Sequence, residues 1–226
     1  MAIILNIETS TDIGSVCLSE DQKILSFVEG SAGFTHAKKT TLMVKKCLQE
    51  ANLEMEDLAA VAVSSGPGSY TALRIGTSVA KGLCYGLEIP LIAINTLESL
   101  AQAAARKTQG DWFVPMIDAR RMEVYTQIFD AEVSPVSNKQ ALILDENTFA
   151  EKLSRKETIV LVGNGAEKFK KTNSSPLMKD VTLACSAEFL VPLAVQKYRK
   201  GEFSDVAYYE PYYLKPPNIT TPKKIL

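Results

Sequence analysis

Between Ser64 and Gly86 the chain reads SSGPGSYTALRIGTSVAKGLCYG. The run Asp57 to Ser64 (DLAAVAVS) that leads into it has the length and apolar content of a buried strand, Gly66-Pro67-Gly68 breaks that strand, and Tyr70 to Leu87 continues with helical spacing. Glycines at such a junction allow close backbone approach, and the helix N-terminus behind them presents unpaired N–H groups to an anion. The spacing matches neither a P-loop, since no G-x-x-x-x-G-K-[ST] follows, nor the dinucleotide G-x-G-x-x-G. Two uses of Gly66 and Gly68 therefore stay open: a tight structural turn or a phosphate cradle.

At about 100° per residue, Ala72, Leu73, Ile75, Gly76, Val79, Ala80, Leu83, Cys84 and Leu87 fill an apolar arc wider than a helix needs to seat on its own sheet. One edge of the helix is left over. The small residues Ala72, Gly76 and Ala80 recur every fourth position, a pattern that lets another backbone approach, either the chain's own sheet or a partner.

Working outward, Ile3 to Ile7 and Gly14 to Leu18 read as two strands around the polar stretch Glu8 to Asp12, and Lys23 to Val28 as a third. From Phe34 to Ala51 the spacing predicts a helix, ended by Asn52. Downstream, Pro90 to Ile94 reads as a buried strand and Thr96 to Arg106 as a helix, with Thr96 or Ser99 as its N-cap. Three strands, helix, strand, helix, strand, helix is the order of an RNase H-like or actin-like lobe, so the expected fold is α/β. A second lobe starts after Gln109-Gly110, with strands at Trp112 to Ile117 and Glu123 to Phe129 around the polar turn Asp118 to Arg121. A further strand, Thr158 to Val162, ends at Gly163-Asn164-Gly165, and a late helix, Ala187 to Lys200, is interrupted by Pro192. The expected division is residues 1–108 as the first lobe, 109–215 as a reduced second lobe whose last segment packs back on the first, and 216–226 as a tail.

Bulk properties bound the function. With 46% apolar and 23% charged residues, the 226-residue chain has the balance of a water-soluble globular protein. A formal charge of −1 supplies no cationic excess for phosphate backbones, so RNA binding by the chain alone is expected to be poor. Four scattered cysteines, Cys17, Cys47, Cys84 and Cys185, form no C-x-x-C pair and fit a reducing, cytoplasmic setting. The apolar N-terminal run is too short for a signal peptide, and no stretch approaches the roughly 18 apolar residues of a membrane span.

The stretch GPGSYTALRIGTSVAKGL at Gly66, with IETSTDIGSVCL at Ile7, INTLESLA at Ile94, IDARRMEVY at Ile117 and PYYLK at Pro211, resembles the TsaB family from one end of the chain to the other. IETS and the first-lobe pattern are shared with the related catalytic TsaD family and, more loosely, with actin-like ATPases. The resemblance implies a two-lobed actin-like ATPase (ASKHA, RNase H-like) fold. It also implies a non-catalytic role in making threonylcarbamoyladenosine in tRNA: a synthase makes threonylcarbamoyl-adenylate, TsaD transfers the group to N6 of adenosine 37, and TsaE, an ATPase, binds the assembled TsaB–TsaD pair. TsaB pairs its first-lobe helices with those of TsaD, which maps the interface here to the helices Phe34 to Ala51 and Tyr70 to Leu87, with Leu42, Met43, Leu73, Gly76, Thr77 and Ala80 as candidates.

In TsaD proteins an H-x-x-x-H pair after the strand equivalent to Pro90 to Ile94 holds the catalytic metal. Aligned on Asn95 and Leu97-Glu98, those positions fall here on Thr96 and Leu100, and leucine cannot coordinate a cation. The sole histidine, His36, leaves no catalytic triad or H-E-x-x-H to build a protease. No cofactor of its own is expected, ATP and metal belonging to partner subunits, and tRNA is expected to be met only through the complex. Glu8 and Thr9 occupy the turn where actin-like ATPases hold phosphates, which keeps an autonomous nucleotide-dependent phosphotransferase as the rival reading. The polar turn of Asp118, Arg120, Arg121 and Glu123 is assigned no chemistry, and the apolar helix face would also serve a symmetric homodimer when no partner is present.

Overall fold

The structure, a computed structural model, describes residues 2–30, 37–145, 147–170 and 175–216. Strands β1 (Ile3–Glu8), β2 (Ser15–Glu20), β3 (Lys23–Glu29), β4 (Leu58–Gly66) and β5 (Leu91–Asn95) form one sheet in the order β3-β2-β1-β4-β5. The first three strands pair antiparallel, and β4 and β5 are added parallel to β1. Helices α1 (Ala37–Ala51), α2 (Tyr70–Leu87) and α3 (Thr96–Ala105) make the connections between and after the parallel strands. The expected start of the first helix at Phe34, and His36, lie outside the described residues.

The second sheet repeats this topology. Strands β6 (Trp112–Asp118), β7 (Glu123–Thr126), β8 (Gln140–Ile143), β9 (Ile159–Val162) and β10 (Met178–Val181) lie in the order β10-β9-β6-β7-β8, with β6-β7-β8 antiparallel and β9 and β10 parallel. Reduction is confined to its helices: α4 (Ala150–Ser154) and α5 (Ala166–Lys170) have five residues each. The second sheet thus has a full complement of strands, and the helices that connect its own strands are short.

Alternation along the strands sends Leu5, Ile7, Val16 and Leu18 into a core against Val44 and Cys47 of α1 and Ala80 and Cys84 of α2. The opposite face, with Ile4, Ala60, Ala62, Ile92 and Ile94, is covered by Leu190, Val191, Ala194 and Val195. Full burial of the valine, leucine and isoleucine side chains among these contributes about 1.5–3 kcal/mol each. These covering residues belong to α6 (Val191–Lys200) and the turn before it, where Pro192 occupies the first helical turn, a place that needs no N–H. After Cys185 the chain therefore packs on the first sheet. The segment beyond α6 continues along that lobe: Ser204 donates to the Leu91 carbonyl, and Tyr212 to that of Ser65.

Helix α3 joins the two lobes. Leu97, Leu100, Ala101 and Ala104 pack on Phe113, Ile117 and Phe129 of the second lobe, and its cap is Asn95, whose side chain accepts from the Leu97 N–H at 3.1 Å. Thr96 and Ser99 were the capping candidates by residue type. Asn95 takes the role because β5 ends on it in extended backbone, leaving its side chain free to turn back on the helix. The expected strand Glu123 to Phe129 stops at Thr126, with Phe129 retained in an isolated bridge to Phe113. All four cysteines are buried and free.

Candidate functional site

Helix α2 starts at Tyr70, shortly after the cis Gly66-Pro67 bond, with its first turn closed by Leu73 N–H onto the Ser69 carbonyl at 2.9 Å, and ends at Glu88 in left-handed backbone. Its buried face is Ala72, Leu73, Gly76, Thr77, Ala80 and Cys84. The stripe of small residues is therefore turned toward the chain itself: a Cβ on Gly76 would meet the Thr9 hydroxyl at 2.2 Å. Most of the residues expected at the interface lie on inward faces of the two helices. Leu73 and Ala80 are fully buried, and Met43, Gly76 and Thr77 belong to the inner faces of their helices. Of those candidates Leu42 is exposed, at 54%.

The spare edge of the apolar arc lies beside them. Val79 and Leu83 on α2, with Ser78 and Gly82, face Thr41 and Val44 on α1 across a groove of about 360 Å³, closed at one end by Met55. Tyr85, 84% exposed, and Leu42 stand on the same pair of helices. Among the described residues nothing beyond the helix's own backbone lies within 4 Å of a Cβ placed on Gly82.

The turn after β1 is braced by its own chain. Glu8 is fully buried, and its Oε1 accepts the Ser10 N–H at 2.5 Å, while Oε2 has no partner among the described residues. Burial pushes the Glu8 carboxyl above the usual carboxylate range, with hydrogen bonding from Ser10 opposing part of that rise. Thr9 N–H donates to Ser64 Oγ at 3.2 Å. Gly68 presses on the Ser10 carbonyl, 2.3 Å from where its Cβ would be, and Ser69 N–H donates to that same carbonyl at 2.7 Å. Gly66, at φ 98°, meets the Tyr212 carbonyl at 2.6 Å from its would-be Cβ and donates its N–H to Thr96 Oγ1 at 3.2 Å. Both glycines are thus required by close backbone approach within the protein, and Gly68 also borders the interlobe cleft.

Between the lobes, Ser10, Thr11 and Asp12 face Asp118, Arg120, Arg121 and Lys168 across a cleft of about 590 Å³, bordered by Tyr212 to Pro216. Lys168 pairs with Asp118 at 2.5 Å, and Lys215 pairs with Glu123. Arg120 and Arg121 hold the tight turn between β6 and β7 with positive φ of 70° and 51°. Thr96 and Leu100 are both fully buried; the first accepts from Gly66 and the second packs in the interlobe core.

The family described as TsaD: tRNA N6-adenosine threonylcarbamoyltransferase matches residues 30–198. The tRNA threonylcarbamoyladenosine biosynthesis protein TsaB of Escherichia coli (strain K12) is 30% identical over 218 residues, covering 94% of each chain. The chain belongs to the TsaB family. By contrast, a tRNA N6-adenosine threonylcarbamoyltransferase of Riemerella anatipestifer is 32% identical over 43% of this chain and 33% of its own, a match to part of a longer protein. YeaZ from Pseudomonas aeruginosa superimposes with a TM-score of 0.81 at 27% identity, over 95% of this chain and all of that one. The TsaB assignment and the two-lobed actin-like fold agree with the repeated sheet topology described above.

Sequence reasoning missed Ser78, Gly82 and Tyr85 as the outward stripe of α2. The arc signalled surplus apolar surface, but a helical wheel does not say which edge the sheet covers.

Proposed function

We propose that this TsaB-family chain is a non-catalytic docking subunit in cytoplasmic threonylcarbamoyladenosine synthesis on tRNA, pairing its first-lobe helices with a TsaD-type transferase, with a TsaE-type ATPase engaging the assembled pair. The observation that carries this reading is the apolar groove between α1 and α2, two helices that also carry the exposed Leu42 and Tyr85. Apolar surface shaped as a groove between two helices is the form that accepts a partner's helix. One further observation supports it: Leu100, fully buried, stands where a metal-binding histidine would be needed. ATP and metal then belong to the partner subunits, and tRNA is reached through the complex.

The test is reconstitution. Threonylcarbamoyl transfer is assayed with the transferase, the ATPase and this chain, omitting each in turn. Loss of transfer when this chain is left out is expected; full transfer without it would overturn the proposal. The rival, an autonomous phosphotransferase, requires ATP turnover by the purified chain that Glu8→Gln abolishes.

A further inference from the structure

The turn between β6 and β7, to which residue type alone assigns no chemistry, is a braced platform for two guanidinium groups. The Asp118 carboxylate accepts the Arg120 N–H at 2.6 Å and pairs with Lys168, while the Asn164 side chain accepts the Asp118 N–H at 2.9 Å. Ala119 N–H donates to the Glu123 carbonyl at 3.1 Å, and Glu123 N–H to the Arg120 carbonyl at 3.3 Å, which closes the loop. Arg120 and Arg121 both stand at positive φ, 70° and 51°, a region normally given to glycine or asparagine. Two consecutive arginines therefore hold their charges there at a backbone cost.

The neighbouring charges leave those two groups over. Four cations line the interlobe cleft against two carboxylates, Asp12 and Asp118, in a chain whose formal charge is −1. Lys168 is paired with Asp118, and Lys215 with Glu123. Arg120 and Arg121 are exposed, and among the described residues neither guanidinium forms an ion pair or a hydrogen bond. Exposed arginines on a rim suit a chain of phosphodiesters, each of single charge, which the guanidinium fork meets with two N–H groups. A small nucleotide in the cleft would draw on the amides of the β1 turn, and those of Thr9 and Ser10 are committed to Ser64 Oγ and Glu8 Oε1. In a family named for threonylcarbamoyladenosine in tRNA, the phosphodiester chain at hand is the tRNA. The position fits as well: Tyr70 and Thr71, in the first turn of α2, border the cleft, and further along the same helix Val79 and Leu83 wall the docking groove.

We propose that Arg120 and Arg121 hold the phosphate backbone of tRNA bound to the assembled complex, a positioning contact that this chain supplies while the transferase carries the chemistry. Two such contacts are too few to retain RNA on the isolated chain. They act once a docked transferase has brought the RNA to the cleft. This inference rests on the docking reading proposed above.

Binding of tRNA to the reconstituted complex of transferase, ATPase and this chain, read by fluorescence anisotropy over a salt series, tests it. Wild type is compared with the double variants Arg120→Gln/Arg121→Gln and Arg120→Lys/Arg121→Lys. Arg155→Gln, at an exposed arginine paired with Glu151, is the control. Co-elution of each with the transferase is recorded without tRNA. The glutamine pair is expected to co-elute as wild type does, to weaken tRNA binding about tenfold at low salt, and to lower the slope of log affinity against log salt by about 1.5 to 2. The lysine pair keeps both charges and is expected to restore most of the affinity and the slope, while Arg155→Gln matches wild type. Unchanged affinity and slope in a glutamine pair that still co-elutes overturns the RNA contact and leaves the docking reading standing. Equal losses in the glutamine and lysine pairs overturn it too, since charge would then not be what the turn supplies. Failure of the wild-type chain to co-elute overturns the docking reading and this contact with it. As a further arm, the chain alone is titrated with ATP. Saturable binding that the glutamine pair abolishes assigns the turn to a nucleotide's phosphates and overturns its claim on RNA; absence of binding supports that claim.

Discussion

A Cβ built on Gly76 would lie 2.2 Å from the Thr9 hydroxyl oxygen, so helix α2 crosses the turn after β1 at a separation that only glycine permits. The Thr9 Cβ and methyl carbon are each 3.3 Å from the same point, and rotating the threonine about its Cα–Cβ bond leaves Cβ in place and can only swing the methyl carbon toward the gap. Gly76→Ala is therefore expected to destabilise the chain by about 1–3 kcal/mol, the usual cost of overpacking a closed site. Urea denaturation of the two proteins measures this directly, and equal midpoints would show that the helix can lift without penalty.

Gly82, six residues further along the same helix, should behave in the opposite way. Among the described residues nothing beyond the helix's own backbone approaches its would-be Cβ within 4 Å, and a glycine inside a helix costs about 0.5–1 kcal/mol relative to a good helix former. Gly82→Gln is expected to raise stability by up to that amount. Its side chain also enters the groove walled by Val44, Val79 and Leu83, so binding to the TsaD-type transferase is expected to fall about tenfold or more, as when a central contact of an interface is blocked. Thermal unfolding and co-elution on one preparation separate the two effects. A variant both more stable and fully competent to bind would move the interface elsewhere.

The buried Glu8 gives a pH-dependent signature. Its carboxyl titrates higher in the folded chain than in the unfolded one, chiefly because burial disfavours the charged form. Through the window from the unfolded carboxylate value up to the folded one, the native state holds the extra proton, so this group's contribution to stability declines as pH rises. Glu8→Gln removes the titration and keeps an oxygen to accept the Ser10 N–H. Relative to wild type, the variant is expected to gain stability as the pH rises from about 4 to about 8. Denaturant unfolding at both pH values reads the difference, and a constant gap would mean that Glu8 ionises in the folded chain as it does in water.

How much of this was legible in the sequence depends on whether a local pattern or a long-range contact decides it. The first lobe was readable because each element carries its own signal: alternation in Ile3 to Ile7, the break at Gly66-Pro67-Gly68, and the helical arc of Tyr70 to Leu87. Asn52 ends α1 in the left-handed backbone its type favours. The second lobe was only partly readable, because β8 and β10 are four-residue edge strands with exposed positions and α5 is little more than one turn. The site was the least legible part. Gly66, Gly68 and Gly76 announce close approach to something, but what approaches, namely Tyr212, Ser10 and Thr9, comes from distant positions that no local period encodes. The same holds for Arg74, whose neighbour Tyr213 lies in the PYYLK stretch near the end of the described chain.

That final stretch is anchored at a point which can be cut without touching the core. Lys81 Nζ donates to the carbonyls of Ala207 and Tyr209 at 3.0 and 3.1 Å, two charge-assisted bonds from α2 to the segment leaving α6. Lys81→Met keeps much of the aliphatic stem and removes both donors, leaving two carbonyls to find water. The expected loss is about 1–3 kcal/mol, felt first in the segment rather than in the sheet, since local opening needs only local contacts to fail. The Tyr212 amide, which donates to the Ser65 carbonyl at 2.7 Å, is the reporter: its hydrogen exchange should accelerate about tenfold or more, while amides of β1 and β4 keep their wild-type rates. Acceleration spread evenly over the first sheet would instead show that the segment and the lobe unfold as one unit, and that Lys81 stabilises the whole of it.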